Sequence, residues 1–223
     1  MSIIVQGMTE LLKWLYNLTS SIGLANYGIA IILLTIIIKT LIYPLTLKQM
    51  SSMRKTVELQ PKVKEIQKKH KNDPQKANAE IMELYKENKV NPAGGCLPLL
   101  IQLPIFWGLY SALLNFKYEG AESAVMFLGF NLTHVYGFSS IPHLILPLFA
   151  AATTYLQTKV TSPNASSDPT QKTMLYIMPI FFGYISATVP SGLALYWVTM
   201  NIVSIVQMVY INRKFSNENA KSA

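Results

Sequence analysis

Five apolar stretches, at 27–47, 95–115, 139–159, 172–189 and 192–211, constrain this chain more than any other feature. A helix rises 1.5 Å per residue, so about 20 mostly apolar residues cross a hydrocarbon core, and each stretch qualifies. Only 13% of the residues are charged and 51% are hydrophobic. A soluble domain carries about 25% charged residues, and so few charges cannot build a polar shell around a soluble core. Disorder is excluded by the same arithmetic. Pro142, Pro147 and Pro179 fall inside the third and fourth stretches, where neighbouring helices can satisfy the freed backbone groups. Only Pro190 and Ser191 separate the last two, which predicts a tight helical hairpin. The single cysteine, Cys96, excludes an intramolecular disulfide and a multi-cysteine metal site. The expected fold is an all-α polytopic membrane protein.

Orientation follows from the basic residues. The 48–92 connection holds eleven Lys and Arg against six Asp and Glu. The tail, 212–223, adds Arg213, Lys214 and Lys221, and Lys159 and Lys172 flank the 160–171 connection. The segments 1–26 and 116–138 hold one each, Lys13 and Lys117. Five crossings then put the basic segments on one side, with the N-terminus outside and the C-terminus cytoplasmic.

The segment 1–26 has no early Lys or Arg, unlike a secretory signal. Its apolar residues Ile4, Met8, Leu11, Leu15, Leu18 and Ile22 recur at helical spacing, which predicts an amphipathic helix on the outer membrane face. The 48–92 connection is too long for a structureless loop. It is rich in helix formers, with Met50, Met53, Val57, Val63 and Ile66 before Asp73-Pro74 and Ile81, Met82 and Tyr85 after it. A cytoplasmic helical hairpin is expected, turning at Asp73-Pro74.

Lys39 carries the functional argument. It lies well inside the first stretch, eight residues from its cytoplasmic end. That is about 12 Å, further than a lysine stem reaches. A central lysine costs about 3 kcal/mol on insertion scales, so it needs a partner or water. No Asp or Glu lies in any of the five stretches. Lys39 is therefore expected in a water-filled groove open towards the cytoplasm. Thr35, Tyr43 and Thr46 share its helix face, and Pro44 predicts a kink. Trp197, Asn201, Ser204 and, slightly offset, Gln207 form a stripe on the fifth stretch. Gln102 on the second, and Thr153, Thr154 and Gln157 on the third, complete the candidate polar lining. For any one hydroxyl the plainer reading is a bond to its own backbone, and for Asn201 and Gln207 a helix–helix contact.

Other chemistries fail on their residues. Ser191 fits a helix N-cap and has no base to activate it. No HExxH run, paired intramembrane aspartates or glycine-rich phosphate loop is present. A transporter would want inverted repeats and a coupling carboxylate. No enzyme activity, cofactor, metal or small-molecule substrate is expected.

Three runs carry a resemblance: NYGIAIILLTIIIKTLIYPLTLKQ, NPAGGCLPLLIQLPIFWGLYSAL and VPSGLALYWVTMNIVSIVQ. Together with ELQPKVKEIQKKH and MELYKENKVNP between them, they resemble the YidC-type membrane protein insertases over about residues 26–213. The resemblance implies five core helices around a hydrophilic groove, closed outside and open to the cytoplasm and to lipid. It implies that Lys39 is the groove cation, where bacterial members usually have Arg, and that Thr35, Tyr196 and Trp197 are groove or substrate-contact positions. Lysine keeps the charge and loses the planar fork of arginine. The short form is expected, without a large outer domain or a lipidated cysteine.

The mechanism implied is insertion of nascent membrane proteins, with assistance to their folding. Lys39 attracts an acidic flank, while Phe106, Leu109, Trp197 and Met200, with Tyr196, form an apolar slide into lipid. The Met-containing hairpin receives the segment first. Expected partners are nascent membrane proteins, ribosome–nascent chain complexes, the lipid bilayer and, as a further candidate, the Sec translocon. The alternative is a membrane chaperone or assembly scaffold without insertion activity of its own.

Overall fold

A computed structural model describes residues 3–90, 97–116, 118, 122–161 and 169–222, with side chains described outside 53–54, 97–101, 169–171 and 214–222. The expected start of the second stretch at Gly95-Cys96, most of the 160–171 connection, parts of 116–138 and the Met53 side chain lie outside what is described. Among the described residues seven α-helices run in order: α1 Ile3–Ser21, α2 Tyr27–Lys69, α3 Pro74–Glu87, α4 Leu97–Asn115, α5 Ile145–Thr161, α6 Pro169–Thr188 and α7 Ser191–Ser222. The chain divides into two compact units, Met1–Leu41 with Ile105–Ala223, and Ile42–Pro104.

In the larger unit, α1 is amphipathic, but its buried stripe is Val5, Leu12, Leu15 and Thr19. Of the sequence stripe Leu15 is buried and Met8 and Leu11 are half-buried, while Ile4, Leu18 and Ile22 are exposed. The buried face is turned about one residue on from that stripe, to Val5, Leu12 and Thr19. Gly108 of α4 permits the approach, since a Cβ there would lie 2.6 Å from the Ile4 Cγ2. Tyr16 stacks on Tyr27 at 4.0 Å, and Phe116 and Tyr118 meet Tyr27 edge-on. Burial, and then the neighbouring Tyr27, push the Tyr118 phenol up to about 12.

Asn26 starts α2. Its side-chain oxygen accepts from the Gly28 N–H at 2.8 Å, as an N-cap does. Its amide donates to the Met126 carbonyl at 2.7 Å. Met126 opens a two-strand hairpin, β1 Met126–Phe127 and β2 Phe130–Asn131, antiparallel with Phe127 opposite Phe130. Leu128 and Gly129 both have positive φ, the geometry of a two-residue hairpin turn. Sequence alone reads this segment as a loop, because Leu-Gly lacks the Asn or Asp that marks such turns.

Ser191 is not an N-cap. The Pro190 carbonyl accepts the first α7 bonds, from Leu193 and Ala194. The Ser191 hydroxyl reaches the Asn131 carbonyl at 2.7 Å and that of His134 at 3.1 Å. The Ser191 and Gly192 N–H groups donate to His134 and Leu132. Gly137 N–H donates to the Ala187 carbonyl, so one segment is tied to both helix ends of the α6–α7 turn. Ser191→Ala is expected to cost about 1 kcal/mol, the net worth of such a bond, read as a lower thermal midpoint in detergent. An unchanged midpoint would remove the latch role.

Helix α2 runs past the expected end of the first stretch at Leu47 and, with Pro44 and Pro61 inside it, reaches Lys69. Each proline removes one backbone bond, and the flanking turns keep theirs. The third stretch starts later than expected, since a 3-10 turn at Ile141–Leu144 precedes α5.

The smaller unit contains the end of α2, then α3. Asp73 caps α3 by accepting from the Lys76 N–H at 3.0 Å, and Pro74 occupies its first turn. Glu80 of α3 takes Lys69 Nζ at 3.0 Å and also pairs with His70 Nε2. Hydrogen bonds from Lys69 and then His70 hold the Glu80 carboxyl below its ordinary value. A depressed carboxylate stabilises the fold above its unfolded pKa, and that contribution fades as pH falls through the folded value. Amide exchange in α3, corrected for intrinsic rate, is expected to accelerate at about pH 3 relative to neutral pH, around the ordinary glutamate range. Glu80→Gln should reproduce that acceleration at neutral pH. Equal protection at both pH values would dismiss the clamp.

Candidate functional site: the polar seam on α7

The described surface is inverted relative to a soluble protein. Ile180 is 72% exposed, Trp107 67% and Leu148 65%, and Phe181, Tyr184 and Val206 are also exposed. Polar side chains are buried instead: Thr35, Thr153, Thr154, Asn201 and Ser204. Soluble monomers rarely expose apolar patches so extensive. Among the described residues, α2 and the Ser191–Arg213 part of α7 are long and apolar enough, by length and composition, to cross a membrane.

Helices α5 and α6 pack closely because Gly183 has no side chain, as a Cβ there would meet the Ala151 Cβ at 3.0 Å. Between α5 and α7 lies a hydrogen-bonded cluster. The Thr153 and Thr154 hydroxyls donate to the carbonyls of Phe149 and Ala150, each at 2.7 Å. Their protons are thereby committed, and their oxygens can only accept. Asn201 Nδ2 donates to both, at 3.1 and 2.9 Å, and Trp197 Nε1 donates to Thr154 at 3.2 Å. This fixes the Asn201 amide orientation and leaves its buried Oδ1 without a partner among the described residues.

Trp197 is clamped as well as bonded. Its ring stacks on Phe182 at 4.0 Å and meets Phe106 edge-on at 5.8 Å. One indole therefore joins α4, α5 and α6 to α7. The slide expected from sequence is narrower than its five residues. Leu109, Tyr196 and Met200 are core side chains, 0%, 1% and 5% exposed, and offer no surface in this state. Phe106 and Trp197 remain half-buried at the margin. Phe182 was not legible as a site residue, since it lies in an aromatic run that reads equally as lipid-facing.

The remaining lining separates similarly. Thr35 is buried and its hydroxyl donates to the Ile31 carbonyl at 2.7 Å. Ser204 donates to the Met200 carbonyl at 2.7 Å. Both follow the plainer reading of intramembrane hydroxyls. Gln157 is half-buried on α5. Lys39 is half-buried on α2, and its carbonyl accepts from Gln207 Nε2 of α7 at 3.2 Å. Tyr43, Pro44 and Gln102 belong to the smaller unit, where Tyr43 and Gln102 are half-buried and Pro44 is exposed.

The sequence matches the family described as 60Kd inner membrane protein over residues 17–219. The chain belongs to that family. Among its relatives, a membrane protein insertase YidC of Geobacter sulfurreducens is 38% identical over 220 residues, 99% of this chain and 39% of that protein. Insertases of the same name from Helicobacter pylori and Syntrophus aciditrophicus are 41% and 44% identical, over 96% and 91% of this chain and 37% and 35% of theirs. A solved structure, an active YidC insertase crystal structure with the first transmembrane domain resolved, superposes with a TM-score of 0.69 at 33% identity, covering 91% of this chain and 45% of that one. The chain thus spans about two fifths of the length of these curated relatives. A helical chain of an inner-membrane family accounts for the inverted surface.

Proposed function

We propose that this chain forms a membrane protein insertase, moving nascent membrane proteins from the cytoplasm into the bilayer through a cationic hydrophilic groove and assisting their folding. The observation that carries the reading is Lys39, a half-buried cation hydrogen-bonded through its own peptide unit to a helix with buried amides and hydroxyls. The names of the relatives support the same activity.

In this reading five helices, α2, α4, α5, α6 and α7, cross the membrane around the groove. The N-terminus lies outside and the C-terminus is cytoplasmic, α1 lies on the outer face, and the 48–92 hairpin is cytoplasmic. Lys39 draws an acidic flank inwards, and Gln157, Asn201 and Gln207 hydrate its path. Phe106 and Trp197 border the apolar route to lipid. An apolar residue gains roughly 0.3 to 0.6 kcal/mol on entering the bilayer, so the span needs no fuel and the polar flank is the barrier. Nascent membrane proteins are the substrates, delivered by ribosome–nascent chain complexes, with the Sec translocon a further partner.

Reconstituted insertion of a single-span substrate into liposomes tests this. Protease-protected product that depends on Lys39 supports an insertase. Unaided background yield, with cross-links only to fully inserted helices, would favour the chaperone.

A further inference from the structure

Residues 123–158 contain no Lys, Arg, Asp or Glu. The third apolar stretch accounts for this from residue 139 onwards, which leaves 123–138 as an uncharged connection. The 48–92 connection, by contrast, holds eleven basic and six acidic residues. Charge costs nothing in water and a great deal beside hydrocarbon. The same segment turns apolar side chains outwards. Leu128 is 82% exposed and Ile141 83%, and Val135 and Phe138 are exposed too. Leu128 sits in the hairpin turn at φ 50°, the left-handed region that disfavours any residue but glycine, asparagine or aspartate. Neither packing within the chain nor backbone geometry accounts for a leucine there.

These side chains continue a surface that is already apolar. Ile141 opens the 3-10 turn leading into α5, where Ile145, Leu148 and Phe149 are exposed. Phe138 stacks on Tyr184 of α6 at 5.8 Å, and the exposed Ile180 and Phe181 lie one turn away. Open backbone groups would bar such a segment from lipid. Here many are closed. Beyond the β1–β2 ladder, the Leu132 N–H donates to the Val125 carbonyl at 2.9 Å, and the His134 N–H to that of Asn131 at 3.1 Å. The Asn131 N–H donates to the Tyr136 hydroxyl at 2.7 Å. Tyrosine rings of this kind collect at headgroup level.

We propose that the 126–141 segment is an interfacial plate, lying along the lipid–water boundary at the end of the molecule where α7 begins, with Leu128, Val135, Phe138 and Ile141 in the acyl margin of that leaflet. It rests on the reading that α5, α6 and α7 cross the bilayer, and not on insertase activity. The occupant is lipid because the segment offers no charge to a protein partner and runs without a break into helix surfaces of the same character. Gly137 and Ser191 bond the segment to the α6–α7 turn, so its immersion also sets the depth of that turn.

The test places single nitroxide-labelled cysteines in the purified chain, with the one native cysteine removed as Cys96→Ser. The protein is reconstituted in vesicles of phosphatidylethanolamine and phosphatidylglycerol. Collisions with oxygen, which concentrates in lipid, and with a nickel chelate, which stays in water, are measured by power saturation. Lys71→Cys, at an exposed charged position, is the water reference, and Ile180→Cys the lipid reference. Labels at Leu128→Cys and Ile141→Cys are expected to be several-fold less accessible to nickel than Lys71→Cys and open to oxygen. Their depth should be about 5 to 10 Å into the headgroup and acyl boundary. Nickel accessibility equal to that of Lys71→Cys at either position would overturn the proposal. Protection from both reagents would overturn it as well, since that marks a protein contact. A label at Ile180→Cys open to nickel would instead remove the crossing reading itself.

Discussion

Lys39→Glu should remove most insertion of a substrate with an acidic translocated tail, while Lys39→Arg should keep it. The lysine is half-buried on α2, and none of the five apolar stretches carries an acidic residue. Its charge is therefore uncompensated within them. At an effective dielectric of about 20, two unit charges 4 Å apart interact by about 4 kcal/mol. Reversing the sign turns that attraction into repulsion, and even a fraction of it corresponds to one or two orders of magnitude in yield. Arginine restores the charge and adds a planar fork. Lys39→Ala should fall between, because it removes attraction without adding repulsion. The measurement is protease-protected product in liposomes, with a neutral-tailed substrate to separate charge from folding. Normal yield of the acidic tail from Lys39→Glu would end the charge-attraction account.

The largest expected loss of stability comes from Gly183→Leu. A Cβ at this position already meets the Ala151 Cβ at 3.0 Å and the Pro147 carbonyl at 3.4 Å. The second neighbour is backbone, which cannot swing aside, and Ser186 is bonded to the Gly183 carbonyl at 2.8 Å. Three further carbons force α5 and α6 apart. Overpacking of this kind costs about 1 to 3 kcal/mol. Small residues matter more at membrane helix contacts, where close backbone approach replaces the hydrophobic drive. The thermal midpoint in detergent should drop clearly for Leu and less for Ala. A Leu variant as stable as the parent would mean that the helices can separate at no cost.

Much of the fold is legible in the residues. Apolar runs mark α2, α4, α6 and α7, and Asp73-Pro74 marks the start of α3, because these signals are local. The α1 face is not, since the side that packs on the protein is turned about one residue on from the spaced stripe. The continuity of α2 past Leu47 is also hidden, since the composition changes there from apolar to basic while the backbone helix carries on. At the candidate site, a charge within an apolar run singles out Lys39, and helical spacing puts Asn201 and, slightly offset, Gln207 on one stripe. It cannot separate Trp197, which is held between Phe182 and Phe106, from Leu109 and Met200, which are core. That difference depends on long-range neighbours.

The hydroxyls have a directional consequence. Thr35, Thr153, Thr154, Thr199 and Ser204 each give their proton to the carbonyl four residues back. Only lone pairs remain on their oxygens, and the free ends of Asn201 and Gln207 are carbonyl oxygens too. The buried hydroxyls of α5 and α7 thus present acceptors rather than donors. In the insertase reading, a carboxylate therefore finds its charged donor at Lys39, while an ammonium or peptide N–H finds acceptors at the free oxygens of Asn201 and Gln207.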